Sequence, residues 1–203
     1  MIRRYVLSVA VLGLLIAGAS VTARAECTIT GTISAEMVDH ALGMWRYTLE
    51  LIWDTGSPYA LSHANLLLDP GFGECLCVDF EEALAWEDPI GSSDGYPEGC
   101  TVYYYGMLEC HGDPSIPGVD GFLLKFEPYE YESCAPGPTG IGTFVFYSDY
   151  GPAPIDDDIL SVVDKHGQAS CIGTLTGEFP GIPCDPLAGE GATWTSVKEL
   201  YVR

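Results

Sequence analysis

Cationic side chains are what this chain has least of. Eight Lys and Arg stand against 29 Asp and Glu, a formal charge of −21 at neutral pH. Arg3, Arg4 and Arg24 fall at the amino terminus, so the remainder carries only Arg46, Lys125, Lys165, Lys198 and Arg203 as fixed cations. So acidic a surface repels phosphate backbones and anionic lipids, and nucleic acid is excluded as a partner. Long apolar runs are also lacking: beyond the first residues no stretch could span a bilayer. The spacings of zinc sites are absent, as are G-x-S-x-G, zinc-protease and phosphate-loop motifs and any internal repeat.

What is present begins with an export signal. Arg3 and Arg4 precede the apolar run "YVLSVAVLGLLIAG", and "ASVTARA" puts Ala23 and Ala25 at the small-residue positions of a signal-peptidase site. Residues 1–25 are therefore expected to be a signal peptide, with Glu26 the first residue of the exported chain, in periplasm, cell surface or medium. Glu26 before Cys27 does not fit a lipoprotein site. All eight cysteines follow the cleavage point: Cys27, Cys75, Cys77, Cys100, Cys110, Cys134, Cys171 and Cys184. An even number in an exported chain reads as disulfides, although sequence does not choose their pairing. On a strand, Cys75-Leu76-Cys77 would aim both thiols to one side, toward other segments.

The dominant period is two. "WRYTLELIWD" sets Trp45, Tyr47, Leu49, Leu51 and Trp53 on one face and Arg46, Thr48, Glu50 and Asp54 on the other, the pattern of a half-buried antiparallel strand. "TITGTIS", "YALSHANLLL", "TVYYYGML", "GFLLKF", "GTFVFYS", "ILSVV" and "CIGTL" are further strand candidates, separated by Gly/Pro/Asp clusters. "KHGQ" reads as the turn of a hairpin. Helix is scarce: "DFEEALAW", with Asp79 as its cap, suits one short helix. The expected fold is all-β: a disulfide-linked antiparallel β-sandwich, Ig-like or jelly-roll-like, over 26–186, with at most one or two short helices. Residues 187–203 read as a Gly-rich linker and a short helical tail, with Trp194, Val197, Leu200 and Tyr201 at helical spacing.

Several residues invite a chemical reading. "LIWDTGS" spells the aspartic protease signature around Asp54. Such enzymes need a second aspartate sharing a proton with the first, and no second Asp-Thr-Gly or Asp-Ser-Gly occurs. Asp, Gly, Ser and Pro at 54–58 are ordinary turn residues, so a hairpin turn is expected, with catalysis by Asp54 as the alternative. The histidines, His40, His63, His111 and His166, are scattered; His63, mid-strand with Leu61, Asn65 and Leu67, reads as a partly buried structural residue. "ECHGD" gathers Cys110, His111 and Asp113, but a free Cys-His nucleophile is out of place among exported cysteines. "DYGPAPIDDD" collects Asp149, Asp156, Asp157 and Asp158 without EF-hand spacing; it reads as an acidic loop, with calcium the one cofactor that it suits. Tyr103, Tyr104, Tyr105, Tyr129 and Tyr131 pack within the sheet or, where alternate, present rings to a sugar or a protein partner.

Trp45 and Tyr47, then Leu61-Ser62-His63, then Asp113-Pro114 followed by Gly121, Lys125 and Phe126 form an ordered series. It resembles a group of secreted bacterial β-sandwich domains that carry a W-x-Y-x-x-x-V strand, a Leu-Ser-His strand, a "DP…TG…G-x-K-F" segment and a late "GP-x-C" turn, approximated here by "FPGIPC". The tail is similar to carboxyl-terminal ends, W-x-x-[IV]-K-x-L-[YF]-R, of some exported Gram-negative proteins. The resemblance implies an extracellular structural or adhesive module with no assigned activity. The functional expectation is thus an exported binding or display module whose partner is an extracellular protein or carbohydrate. A secreted hydrolase using Asp54 and a calcium-stabilised adhesion module are the alternatives.

Overall fold

A computed structural model describes residues 27–68, 75–84, 87–116, 121–129, 133–155, 160–167 and 169–182. The expected signal peptide, the 187–203 tail, Cys184, Tyr131 and Asp156 to Asp158 lie outside the described residues. The elements are β1 (Thr28–Asp39), β2 (Met44–Asp54), β3 (Leu61–Leu68), α1 (Cys77–Ala83), β4 (Ile90–Tyr96), β5 (Thr101–Glu109), β6 (Phe122–Pro128), β7 (Ala135–Pro136), β8 (Thr139–Ser148), β9 (Pro152–Pro154), β10 (Leu160–His166) and β11 (Ala169–Pro180).

The strands close into a nine-strand β-barrel, which corrects the expected sandwich. Its order is β1-β2-β8-β4-β5-β6-β3-β10-β11, and β11 returns to β1. Every barrel neighbour is antiparallel except at this seam, where Thr30 to Ile33 run parallel to Thr174 to Gly177. β9 and β7 are short additions on β11 and β4. Period-two patterning is common to sandwich and barrel; what separates them is whether the first and last strands meet, a pairing of residues about 144 positions apart. Gly173 permits that meeting. A Cβ there would stand 1.7 Å from the Ile29 carbonyl oxygen, so the backbones at the seam could not approach with any larger residue. The Cys27–Cys171 disulfide ties the same seam.

The barrel interior is packed with rings. Tyr47 stacks on Phe146 at 5.3 Å, Phe126 and Phe144 meet at 4.7 Å, and Phe146 reaches Phe179 at 5.8 Å. Trp53 lies across Gly140, its cross-strand partner, where a Cβ would sit 2.3 Å from the indole. Buried polar tips are satisfied, as apolar surroundings require: Trp53 Nε1 donates to the Gly137 carbonyl (3.2 Å), Tyr47 OH to that of Tyr150 (2.7 Å), and Tyr104 OH lies 2.9 Å from Ser93 Oγ.

Several local expectations change. The hairpin expected at 54–58 does not form: β2 pairs with β1 and β8 and β3 with β6 and β10, so the residues between them join strands that are not neighbours. The helix begins at Cys77 rather than after an Asp79 cap; Asp79 instead sits inside the first turn, where its carboxylate accepts the Leu76 N–H at 2.7 Å. Cys77 is therefore helical, and the strand reading of Cys75-Leu76-Cys77 fails because the Asp79 side chain offers the backbone a helix start. β4, "IGSSDGY", is a barrel strand that its Gly, Ser and Asp content concealed. The "KHGQ" hairpin is present, with Gly167 at φ 53° between β10 and β11.

Candidate functional site

β3 is buried on both faces. Ala64, Leu66 and Leu68 join the barrel core, while a register shift between Lys165 and His166 also turns Leu61 inward. That leaves His63, Asn65 and Leu67 on the outer wall, beside Leu123, Lys125 and Glu127 of β6. Asp113 and Ile116, in the connection from β5 to β6, lie over this wall. Ile116 packs on Leu67 and Leu123 in a small apolar cluster of its own. The Cys77–Cys110 disulfide fixes the start of that connection to α1.

Under this cover lies a row of charge. Asp113 Oδ2 stands 2.9 Å from Lys125 Nζ and 3.2 Å from His63 Nε2. Lys125 also meets Glu127 Oε1 at 2.6 Å, and Glu127 Oε2 accepts the Tyr105 hydroxyl at 2.7 Å. Asp113 Oδ1 accepts the Ser115 N–H at 2.7 Å, an Asx turn that sets the carboxylate's direction. Buried charge must be paired, and here one ammonium serves two carboxylates. Burial raises the Asp113 carboxyl, but the bonds from Lys125 and Ser115 prevail and bring it to about 2. Lys125 holds Glu127 below the usual range, and burial of Lys125 itself is outweighed by its two carboxylates, which raise it. For His63 burial is the larger effect and the Lys125 charge adds to it, so its proton is held only below about 4. The imidazole is neutral at pH 7.

The row surfaces at Tyr105. Tyr103 and Tyr129 are 55% and 45% exposed, and Tyr105 and Tyr129 rings meet at 5.0 Å with a 48° tilt. The Tyr129 N–H donates to the Tyr103 carbonyl at 2.9 Å, which pins the end of β6 beside β5. Tyr104, between them in sequence, points inward and is buried, so the tyrosine run divides by strand alternation into core and surface. Glu127 and the hydroxyl of Tyr105 thus link an open aromatic face to the covered charges.

The remaining sequence candidates fall elsewhere. Asp54 ends β2 in an exposed position, and its Oδ1 accepts the Gly56 N–H at 2.8 Å, with Gly56 at φ 59°. Thr55, beside it, is buried and donates to the Tyr59 carbonyl at 3.0 Å. Asp149 is exposed in a bend after β8. Cys100 pairs with Cys134, and Cys75 is disulfide-bonded as well. Cys77, Glu81 and Cys110 converge within 4.8 Å, but both sulfurs are consumed by their mutual disulfide. Asp164 is wholly buried on the inward side of β10, 2.7 Å from His166 Nδ1; burial raises its carboxyl above the usual range.

His63, Asp113 and Lys125, separate pieces of the sequence, meet only in the fold. The signal was the loss of alternation in "SHANLLL", where polar and apolar positions alike are buried. Among the described residues no helix is long and apolar enough to cross a membrane. No protein-family model matches the chain, and no curated protein shows a significant match to it.

Proposed function

We propose that the protein is an exported binding module that takes neutral carbohydrate on the outer face of β5 and β6. The observation that carries this reading is the exposed rings of Tyr103 and Tyr129, backed by the half-buried Tyr105, beside a carboxylate that Lys125 holds below the usual range. Tyrosine faces stack on the apolar face of a sugar ring, and a fixed carboxylate accepts its hydroxyls. The acidic surface turns away anionic polymers. The disulfides fit an exported protein, and the signal-like amino terminus supports the same compartment.

The test is retention of the oxidised protein on a panel of insoluble neutral polysaccharides, compared with a Tyr103→Ala/Tyr129→Ala variant. At least one polymer is expected to hold the protein and to lose the variant by tenfold or more. Retention on none, or equal retention of the variant, overturns the reading.

A further inference from the structure

The segment Asp113–Ile116 is fastened to the barrel wall by two unlike means. Ile116 contributes apolar packing against Leu67 and Leu123. Asp113 contributes charge, reaching Lys125 and His63, while the Ser115 and Ile116 amides close on its own Oδ1 and backbone oxygen at 2.7 and 2.9 Å. His63 is only 4% exposed beneath it. Cations approach the imidazole from two elements: Lys125 of β6, and Lys165, its register partner on β10. The anions that act on it are Asp113 of the segment and Glu127 of β6, and Tyr105 of β5 is joined to the latter.

We propose that Asp113–Ile116 is an acid-released latch: while His63 is neutral the segment lies closed over the wall of β3 and β6, and protonation of His63 lifts it and bares Leu67 and Leu123. A proton on the shut imidazole places a third positive charge beside two lysines in a site that excludes water. Asp113 and Glu127 offset part of this, but burial and the two lysines together outweigh them. Lifting the segment hydrates the imidazole and removes the cost.

The sign follows from linkage. Shut, His63 takes its proton near 4; in water it does so at its ordinary 6.5. The open state binds the proton more readily, so opening gains as pH falls below the ordinary value and levels off as pH passes the lower one. Asp113, near 2 when seated against an ordinary 3.8, pushes the same way only in stronger acid. Glu127 keeps its contact with Lys125 whether the segment is shut or lifted. Between pH 7 and pH 4 the opening equilibrium should rise by about 100-fold.

Amide hydrogen exchange on the full, oxidised chain reads this directly, after correction for intrinsic exchange rates. The Ser115 and Ile116 amides are expected to lose about 100-fold in protection from pH 7 to pH 4. The Gly95 amide, bonded to the Cys100 carbonyl at the end of β4, should stay better protected than both latch amides at each pH. In His63→Gln, which has no proton to gain, the two latch amides should lose less than a few-fold over the same range. Equal wild-type protection at both pH values overturns the latch, as does a His63→Gln profile as steep as wild type. Latch amides no less protected than Gly95 at each pH also overturn it, because the event would then be global unfolding. Should His63→Gln fail to fold, the wild-type comparison of latch and Gly95 amides decides alone.

Discussion

β2 and β3 have similar apolar content, yet they occupy different surroundings. β2 alternates: Tyr47, Leu49, Leu51 and Trp53 are buried, while Glu50, Ile52 and Asp54 face solvent. β3 is buried at every position but Ser62, because Asp113 and Ile116 of the β5–β6 connection lie outside it. The first pattern means one covered face. The second means that something sits on the outer face as well, and in this protein it is there that histidine, lysine and aspartate meet out of water. A strand whose polar residues lie in a broken alternation marks where to look for buried chemistry.

The comparison can be broken most severely from inside. Trp53→Ala should cost about 3–5 kcal/mol in urea unfolding, since the buried indole packs directly on Gly140 and Gly142. Loss below about 1 kcal/mol would mean that the inner face of β2 is not core. On the outer wall, Lys125→Met removes one cation and strands two carboxylates; about 3 kcal/mol is expected at pH 7, with partial recovery at lower pH where they protonate. Acid should weaken the wild-type fold through His63. Its lowered value means that the stability is present above the ordinary 6.5 and lost as pH falls through about 4. That is about 3 kcal/mol at most, and it should be absent in His63→Gln. The two strands are compared most directly by a matched pair of outward positions: Leu67→Ala on β3 should cost about 2 kcal/mol, and Ile52→Ser on β2, 56% exposed, less than about 0.5 kcal/mol. Equal losses would erase the distinction. Smallest of all, Asp54→Asn should change thermal stability by about 1 kcal/mol or less, because an Asn side-chain oxygen accepts the Gly56 N–H equally well.

Much of the local structure was legible. Alternation in "WRYTLELIWD" is a direct record of side chains that point in turn to core and water. The reversal at "KHGQ" and the bend at Asp54 to Gly56 follow from residues that favour turns or accept positive φ, but the bend leads from β2 to a strand it does not pair with, which local residues could not show. The start of α1 was misplaced because Asp79 caps from within the helix rather than ahead of it. β4 went unseen because its partners β5 and β8, and not its own Gly and Ser side chains, hold it in the sheet. Of the site, the tyrosines were visible as candidates, and strand alternation sorts Tyr104 from Tyr103 and Tyr105. The charged row was not visible, because His63, Asp113 and Lys125 sit far apart in sequence and adjoin only once β3 pairs with β6 and the connection folds over both.

By itself the sequence determined the all-β class, the "KHGQ" reversal, the acidity and an even set of cysteines suited to disulfides, because each of these depends on residue chemistry or on neighbours within a few positions. Only the tertiary structure decided that the strands close into a barrel and that three separated residues share one buried charge site. Both rest on pairings between distant segments, where one register or one close approach of backbones, as at Gly173, selects among arrangements that the same local pattern would satisfy.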